Sequence, residues 1–278
     1  MKLATIRIDG ATRAGLVGDD GRVQLLDAPD VDAVLAAGLD QASATDQFVD
    51  SPEFAPVVTH PSKVVCVGLN YRTHILEMGR DLPVHPTLFT KYADSLCGAG
   101  DEVWLPTESE TVDWEAELAL VIGRPVRRAS GSEAEEAIAG FCVANDVSMR
   151  DWQNRTLMWD QGKFWEHATP LGPWLVTPDE LPGGVRPDLA IQCEVNGEMM
   201  QSSRTSDLVF DPVALVQYVS TIVTLRPGDV VLTGTPGGVG MARKPPVFLK
   251  QGDELVTRIE HLGESRARCV ADPAAPAG

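Results

Sequence analysis

The stretch DWEAELALVIG, residues 113–123, decides how the rest of the chain is read. Its side chains alternate with a period of two, the pattern of an extended strand: Glu115 and Glu117 share one face, while Ala116, Leu118, Leu120 and Ile122 share the other. Cβ atoms two positions apart on a strand lie roughly 6.5–7 Å from each other, so both carboxylates can reach one cation from the same side. Taken alone, E-x-E reads more readily as the solvated face of a half-exposed strand, because glutamate is seldom buried. A third carboxylate alters that reading. In GFCVANDVSMRD, residues 140–151, a strand of buried character ends abruptly at Asn145 and Asp146 before a helical stretch. Glu115, Glu117 and Asp146, with no thiolate or imidazole among them, would make a hard oxygen site suited to Mg2+ or Mn2+, with water and substrate oxygens in the remaining positions. A cation there would also relieve the desolvation cost of two glutamates on an apolar strand.

The chain has 278 residues, 44% hydrophobic and 23% charged, the range of a globular protein able to bury a large core. Its formal charge of −17 argues against a nucleic-acid partner, which needs clustered Lys and Arg to displace counterions. An acidic protein that handles an anionic substrate must create positive potential locally, and a bound cation does so. Arg7, Asp9 and Arg13 interrupt any apolar run at the N-terminus, and no later segment approaches a membrane span, so the expected location is the cytoplasm. Cys66, Cys97, Cys142, Cys193 and Cys269 form no C-x-x-C pair and read as small core residues, not as a disulfide framework or a zinc site.

Punctuation by glycine and proline divides the chain. ATRAGLVGDDGRVQLL, residues 11–26, reads as a hairpin turning at Asp-Asp-Gly, and VDAVLAAGL, residues 31–39, as a short helix. These mark a small N-terminal αβ domain over 1–60, followed by a larger domain over 61–272 and a flexible tail at 273–278. In the larger domain, strands are expected at 64–69, 115–122, 141–146, 189–195, 230–232 and 254–260, with a type I′ hairpin at Asn196-Gly197. Helices are fewer, at 132–139 behind a serine N-cap, at 149–157, and at 211–223 with proline in the first turn. The mixture predicts a β-rich α+β fold over an alternating βα one.

Five segments in order, VGLNYRTHILEMG, DWEAELALVIG, NDVSMRDWQ, QGKFWEHATPLGPW and LRPGDVVLTGTPGGVG, resemble the fumarylacetoacetate hydrolase family, and the match spans about residues 62–270. The resemblance implies a mixed β-roll, a distorted barrel or sandwich, behind a small N-terminal domain, usually as a homodimer. It implies Glu115, Glu117 and Asp146 as the ligands of Mg2+ or Mn2+. His74 and Glu77 fall three apart on a helical turn, where a carboxylate can orient an imidazole and raise its basicity; the same spacing alone would suit a surface pair. The resemblance favours a water-activating dyad. Lys163 corresponds to a lysine near the substrate, for its carboxylate or enolate oxygen, where an unaided reading would leave it solvated. Arg150 and Gln153 correspond to cavity positions, with Arg150 also a candidate for a structural ion pair. The loop Gly234-Thr235-Pro236-Gly237-Gly238 offers backbone N–H groups and a hydroxyl to an anionic oxygen, or is an ordinary glycine turn. No strand–loop–helix unit follows it, so nucleotide binding is not supported. Trp165, where the family pattern has phenylalanine, and His167, where a small or polar residue is common, bear on substrate identity.

The activity so implied is metal-dependent hydrolysis of the C–C bond of an acylpyruvate-type 2,4-dioxo acid, such as fumarylpyruvate or acetylpyruvate, through a pyruvate enolate that the cation stabilises. Decarboxylation of oxaloacetate or a related 2-oxo diacid, or isomerisation of an unsaturated dioate in aromatic catabolism, would use the same site. All share a small anionic 2-oxo acid as partner. A noncatalytic metal- or ligand-binding module is the reading from a different class, and the intact acidic set with His74, Glu77 and Lys163 speaks against it.

Overall fold

Residues 1–274 are described by the computed structural model; the expected tail at 273–278 lies, from residue 275 on, outside the described residues. The Ala116–Ile122 strand is buried along its whole length, which removes the half-exposed reading of E-x-E. It runs antiparallel between Ile138–Asn145 and Val230–Leu232 near the middle of an 11-stranded sheet. Leu118, Leu120 and Ile122 point into a core shared with the five-stranded sheet built on Ala190–Val195 and Glu254–Ile259. Ala119 and Val121 point the other way, into a second core with Val64, Cys66, Phe89 and the Val31–Ala37 helix. Each of the large apolar side chains contributes roughly 1.5–3 kcal/mol by burial, so the strand holds its position although it carries a buried glutamate.

One sheet takes strands from both sides of residue 60. Lys2–Ile8 pairs with Ala11–Val17 on one side and with Leu175–Val176 on the other, so the N-terminal strands extend the large sheet. Most pairings are antiparallel, but Val230–Leu232 with Val64–Gly68 and Gly263–Ala271 with Val103–Leu105 are parallel, which makes the sheets mixed. Asn196 and Gly197 have φ of 52° and 78°, both positive as a type I′ turn requires. All five cysteines are free and buried. Among the described residues no helix is long and apolar enough to cross a membrane.

Two helices differ from expectation at their ends. The helix expected over 132–139 spans Gly131–Ala137, closed by a capping box of Ser130 and Glu133, and Ile138 and Ala139 belong to the Ile138–Asn145 strand. Ile138 is β-branched and pairs with Ile122, so the sheet takes it from the helix. The helix expected over 149–157 is a single turn, Arg150–Gln153. Asn154 ends it by donating from its side chain to the Arg150 carbonyl at 2.8 Å, and the Thr156 hydroxyl binds the Met158 N–H at 3.2 Å. Such short polar side chains offer the backbone an alternative to helical bonds. The Pro212–Ile222 helix begins as expected, with the Asp211 carboxylate accepting from the Ala214 N–H at 2.8 Å.

Candidate active site

Register assembles the three carboxylates. Ala116 pairs with Asn145 and Glu117 with Ala144, and the Asp146 N–H donates to the Glu115 carbonyl at 2.8 Å just beyond the ladder. Directly opposed residues point to the same face, so Glu115, Glu117 and Asp146 converge, with the small Ala144 leaving room between them. One oxygen from each lies within 4.8 Å of the others, and all three residues are buried. Asn145, on the opposite face, locks the end of the ladder: its Oδ1 accepts from the Glu115 N–H at 2.9 Å and its Nδ2 donates to Thr257 at 2.9 Å. Gln201 Oε1 accepts from the Ala116 N–H at 2.9 Å.

Four buried carboxylates, counting Asp113, face three buried cations. Lys163 Nζ donates to Glu115 and to Asp146, each at 2.8 Å. Lys91 Nζ lies 2.6 Å from the other oxygen of Asp146. Arg150 joins Glu115 at 2.6 Å and Asp113 at 2.9 Å. Burial alone would raise the Asp146 carboxyl, but Lys163 and Lys91 outweigh it and hold it below the ordinary value. Burial likewise opposes the charge of Lys163 and of Arg150, and their carboxylate partners overcome it in both cases. Glu117 is different. Among the described residues it makes no ion pair, and its one donor is the Gly234 N–H at 2.7 Å. Burial, reinforced by the charges of Asp146 and Glu115, pushes its carboxyl well above the usual range. A buried carboxylate that no protein cation neutralises, beside two others and with only oxygen donors in the set, fits a hard divalent ion.

The set opens on a cavity of about 260 Å³, the liquid volume of roughly eight or nine waters at ~30 Å³ each. Its walls include His74, Arg80, Arg150, Gln153, Lys163 and Thr235, with an apolar side from Met78, Phe89, Trp159, Val239 and Met241. Several polar groups there keep a donor unused among the described residues. Lys163 has three N–H groups and two go to carboxylates. Gln153 accepts from Arg150 through Oε1, which leaves its Nε2. Thr235 accepts from Gln201, which leaves its O–H.

The Arg72–Glu77 helix carries His74 and Glu77. A Cβ built on Gly237 would lie 3.1 Å from His74 Nδ1 and 3.5 Å from Glu77 Oε2, so the pair flanks the same glycine. The two side chains are not hydrogen-bonded to each other in the structure, and Glu77 is exposed and outside the cavity wall. Burial lowers the His74 pKa below 6.5, against the opposing pull of Glu77 and Glu115. The Gly234 N–H, which the sequence offers to a substrate oxygen, holds Glu117 instead. Arg150 is the ion-pair residue that the sequence allowed, and it still lines the cavity. Trp165 and His167 lie away from it: Trp165 packs against Trp152 with ring centroids 5.0 Å apart, and His167 stacks on Trp104 at 4.2 Å while its Nδ1 contacts the Glu102 carbonyl at 2.9 Å. The departures at these two positions therefore do not touch the cavity.

Sequence reading passed over Lys91, Asp113 and Arg80. Lys91 had a signal: on the Thr87–Lys91 strand it shares a face with Phe89, and a charge beside an apolar residue on a buried strand needs a partner. Replacing Lys91 by Met should lower the stability of chelator-treated protein by about 3 kcal/mol, the low end for breaking a buried pair, because Lys163 still reaches Asp146. Urea unfolding of the parent and the variant checks this.

The fumarylacetoacetate hydrolase C-terminal model matches residues 63–270. Oxaloacetate tautomerase Fahd2a, mitochondrial, of Rattus norvegicus is 49% identical over 211 residues, which cover 76% of this chain and 67% of that protein. The fumarylacetoacetate hydrolase structure from Exiguobacterium antarcticum superimposes with a TM-score of 0.86 at 32% identity, over 98% of this chain and all of that one. The 2-hydroxyhepta-2,4-diene-1,7-dioate isomerase of Mycobacterium marinum gives 0.79 at 31% identity, over 98% and 99%. Both the sequence match and the shared fold cover the strands that carry the acidic set, and the chain belongs to the fumarylacetoacetate hydrolase family.

Proposed function

We propose that the chain moves a proton at the carbon beside the 2-oxo group of a small dicarboxylic acid, interconverting its keto and enol forms. The observation that carries this reading is one half-buried imidazole, with no hydrogen-bonded carboxylate, in the same small cavity as the acidic set and a lysine with an unused N–H. A divalent cation, Mg2+ or Mn2+, held by Glu115, Glu117 and Asp146 would polarise the 2-oxo oxygen as a Lewis acid. His74 supplies the base. Its Nδ1 is turned toward Gly237, which leaves Nε2 to take the proton from carbon. The lowered pKa keeps this nitrogen unprotonated at neutral pH. Lys163 and Gln153 direct their remaining N–H groups at the oxygens of the reacting end, and the Thr235 hydroxyl is a further donor. A proton returned to the 2-oxo oxygen completes the enol, so the substrate's formula does not change. The names of the Rattus norvegicus tautomerase and the Mycobacterium marinum isomerase both describe a rearrangement within a dicarboxylic acid, which supports the reading.

Hydrolysis of an acylpyruvate is the second reading. It is favoured by the convergence of His74 and Glu77 on Gly237, since a small side-chain movement would join them and set His74 to take a proton from water. One experiment separates the two. With Mg2+ or Mn2+ present, loss of the enol absorbance of oxaloacetate and solvent deuterium uptake at its methylene carbon are measured beside pyruvate release from acetylpyruvate and CO2 release from oxaloacetate. Accelerated tautomerisation without pyruvate or CO2 is the expected result. Pyruvate from acetylpyruvate without tautomerisation would move the assignment to the hydrolase, and CO2 as the main product to the decarboxylase.

A further inference from the structure

Three cationic side chains line the cavity, and two of them are already paired. Arg150 is held by Glu115 and Asp113, and Lys163 by Glu115 and Asp146. Arg80 is the third, and among the described residues its guanidinium makes no ion pair and no hydrogen bond. Its backbone, by contrast, is fixed. The Gly79 N–H donates to the Leu76 carbonyl at 2.9 Å and the Arg80 N–H to the Ile75 carbonyl at 3.2 Å, the two reversed bonds that close a helix in a Schellman motif. Gly79 has φ of 69°, the left-handed conformation this motif asks of the residue after the C-cap. The helix that carries His74 therefore ends by delivering Arg80 to the same cavity.

The walls sort by chemistry. The acidic set, Lys163 and Gln153 serve the 2-oxo acid end of a ligand. Met78, Phe89, Trp159 and Met241 provide apolar surface for its carbon chain. Among the described residues no carboxylate pairs with the remaining cation, and a second carboxylate on the ligand is the group that would.

We infer that Arg80 is a specificity-determining residue that binds the distal carboxylate of the substrate, making the site selective for 2-oxo dicarboxylic acids over 2-oxo monoacids. This rests on the proposed site for the 2-oxo end, and it adds what selects the other end. The guanidinium fork matches a carboxylate in two parallel hydrogen bonds, which an ammonium cannot reproduce.

The test uses the full chain loaded with Mg2+ and two probes, read by quenching of tryptophan fluorescence, since Trp159 lines the cavity. 3,3-Difluorooxaloacetate keeps both carboxylates but has no proton to move, and pyruvate keeps only the 2-oxo acid end. Arg80→Met should weaken the dicarboxylate about 10- to 100-fold, the scale of a lost charged hydrogen-bonded pair, and change pyruvate less than about twofold. Arg80→Lys should recover part of the loss. Equal weakening of both probes, or no weakening of either, overturns the inference. If the probes split as expected and the parent still takes up no deuterium into oxaloacetate, the distal subsite stands and the proposed reaction falls. Arg80 is exposed, so both variants should fold, and circular dichroism checks that they do.

Discussion

Glu117→Gln should remove cation-dependent turnover and weaken cation binding by more than the roughly 10–100-fold that outer partners of metal sites cost. The change is almost isosteric, and the amide oxygen can still accept from the Gly234 N–H, so packing is preserved. What disappears is the one carboxylate of the set that no protein cation neutralises. The same substitution should leave the stability of chelator-treated protein unchanged or higher, because it replaces a buried carboxyl that has no ionic partner by an amide of nearly the same shape. Lost binding together with unimpaired stability separates a ligand from a structural residue. Glu115→Ala and Asp146→Ala should also abolish turnover, but Glu115→Ala takes one of two carboxylate partners from both Arg150 and Lys163, and Asp146→Ala takes from Lys91 its ion pair, so each should destabilise as well. Calorimetric titration with Mg2+ and Mn2+, alongside urea unfolding, reads both quantities. The parent should stay folded after chelation, since the two cores on either side of Ala116–Ile122 do not depend on an ion. Global unfolding on chelation, or full activity in any of the three variants, would contradict the site.

His74→Ala is expected to lower kcat/KM by roughly 10²–10⁴-fold, the usual worth of a general base, while the affinity for Mg2+ stays near that of the parent. The separation follows from position, because His74 lines the cavity without belonging to the acidic set. A pH profile sharpens the test. Burial lowers the imidazole pKa below 6.5, so the base is mainly unprotonated at neutral pH and loses function as pH falls through the lowered pKa. The acid limb of kcat/KM should therefore lie below pH 6.5 in the parent and be absent from the residual activity of the variant. Comparing substrates decides which proton His74 takes. If it takes one from carbon, tautomerisation collapses in the variant; if it takes one from water, acylpyruvate cleavage collapses and tautomerisation persists. Glu77→Gln is informative in the same assay. With no hydrogen bond from Glu77 to His74, it should cost far less than His74→Ala on the tautomerase reading, whereas equal losses would support a water-activating pair.

What could be read without the structure was local chemistry. Alternation in DWEAELALVIG exposes a strand with two glutamates on one face, Asn196-Gly197 marks a hairpin, and Asp211 before Pro212 marks a helix start, because each depends on neighbours within a few positions. Residue type alone also indicates what kind of ion three carboxylates would bind. Local propensity misled where tertiary partners outbid it. Residues 149–157 have helical character, but Asn154 and Thr156 divert the backbone after one turn, and Arg150 is drawn to Asp113 and Glu115.

The sequence by itself determined several strands, those around 64–69, 115–122 and 230–232 among them, the turn at Asn196-Gly197 and the buried cysteines, since these follow from short-range periodicity and residue type. Only the tertiary structure decided their alignment. Pairing Ala116 with Asn145 puts Asp146 on the face of Glu115 and Glu117, and a slip of one residue would turn it to the opposite face. Lys91 meets Asp146 across 55 positions of sequence, and Gly234 meets Glu117 across 117. Such contacts are chosen by the burial of two whole cores at once, a condition that no short window of sequence contains.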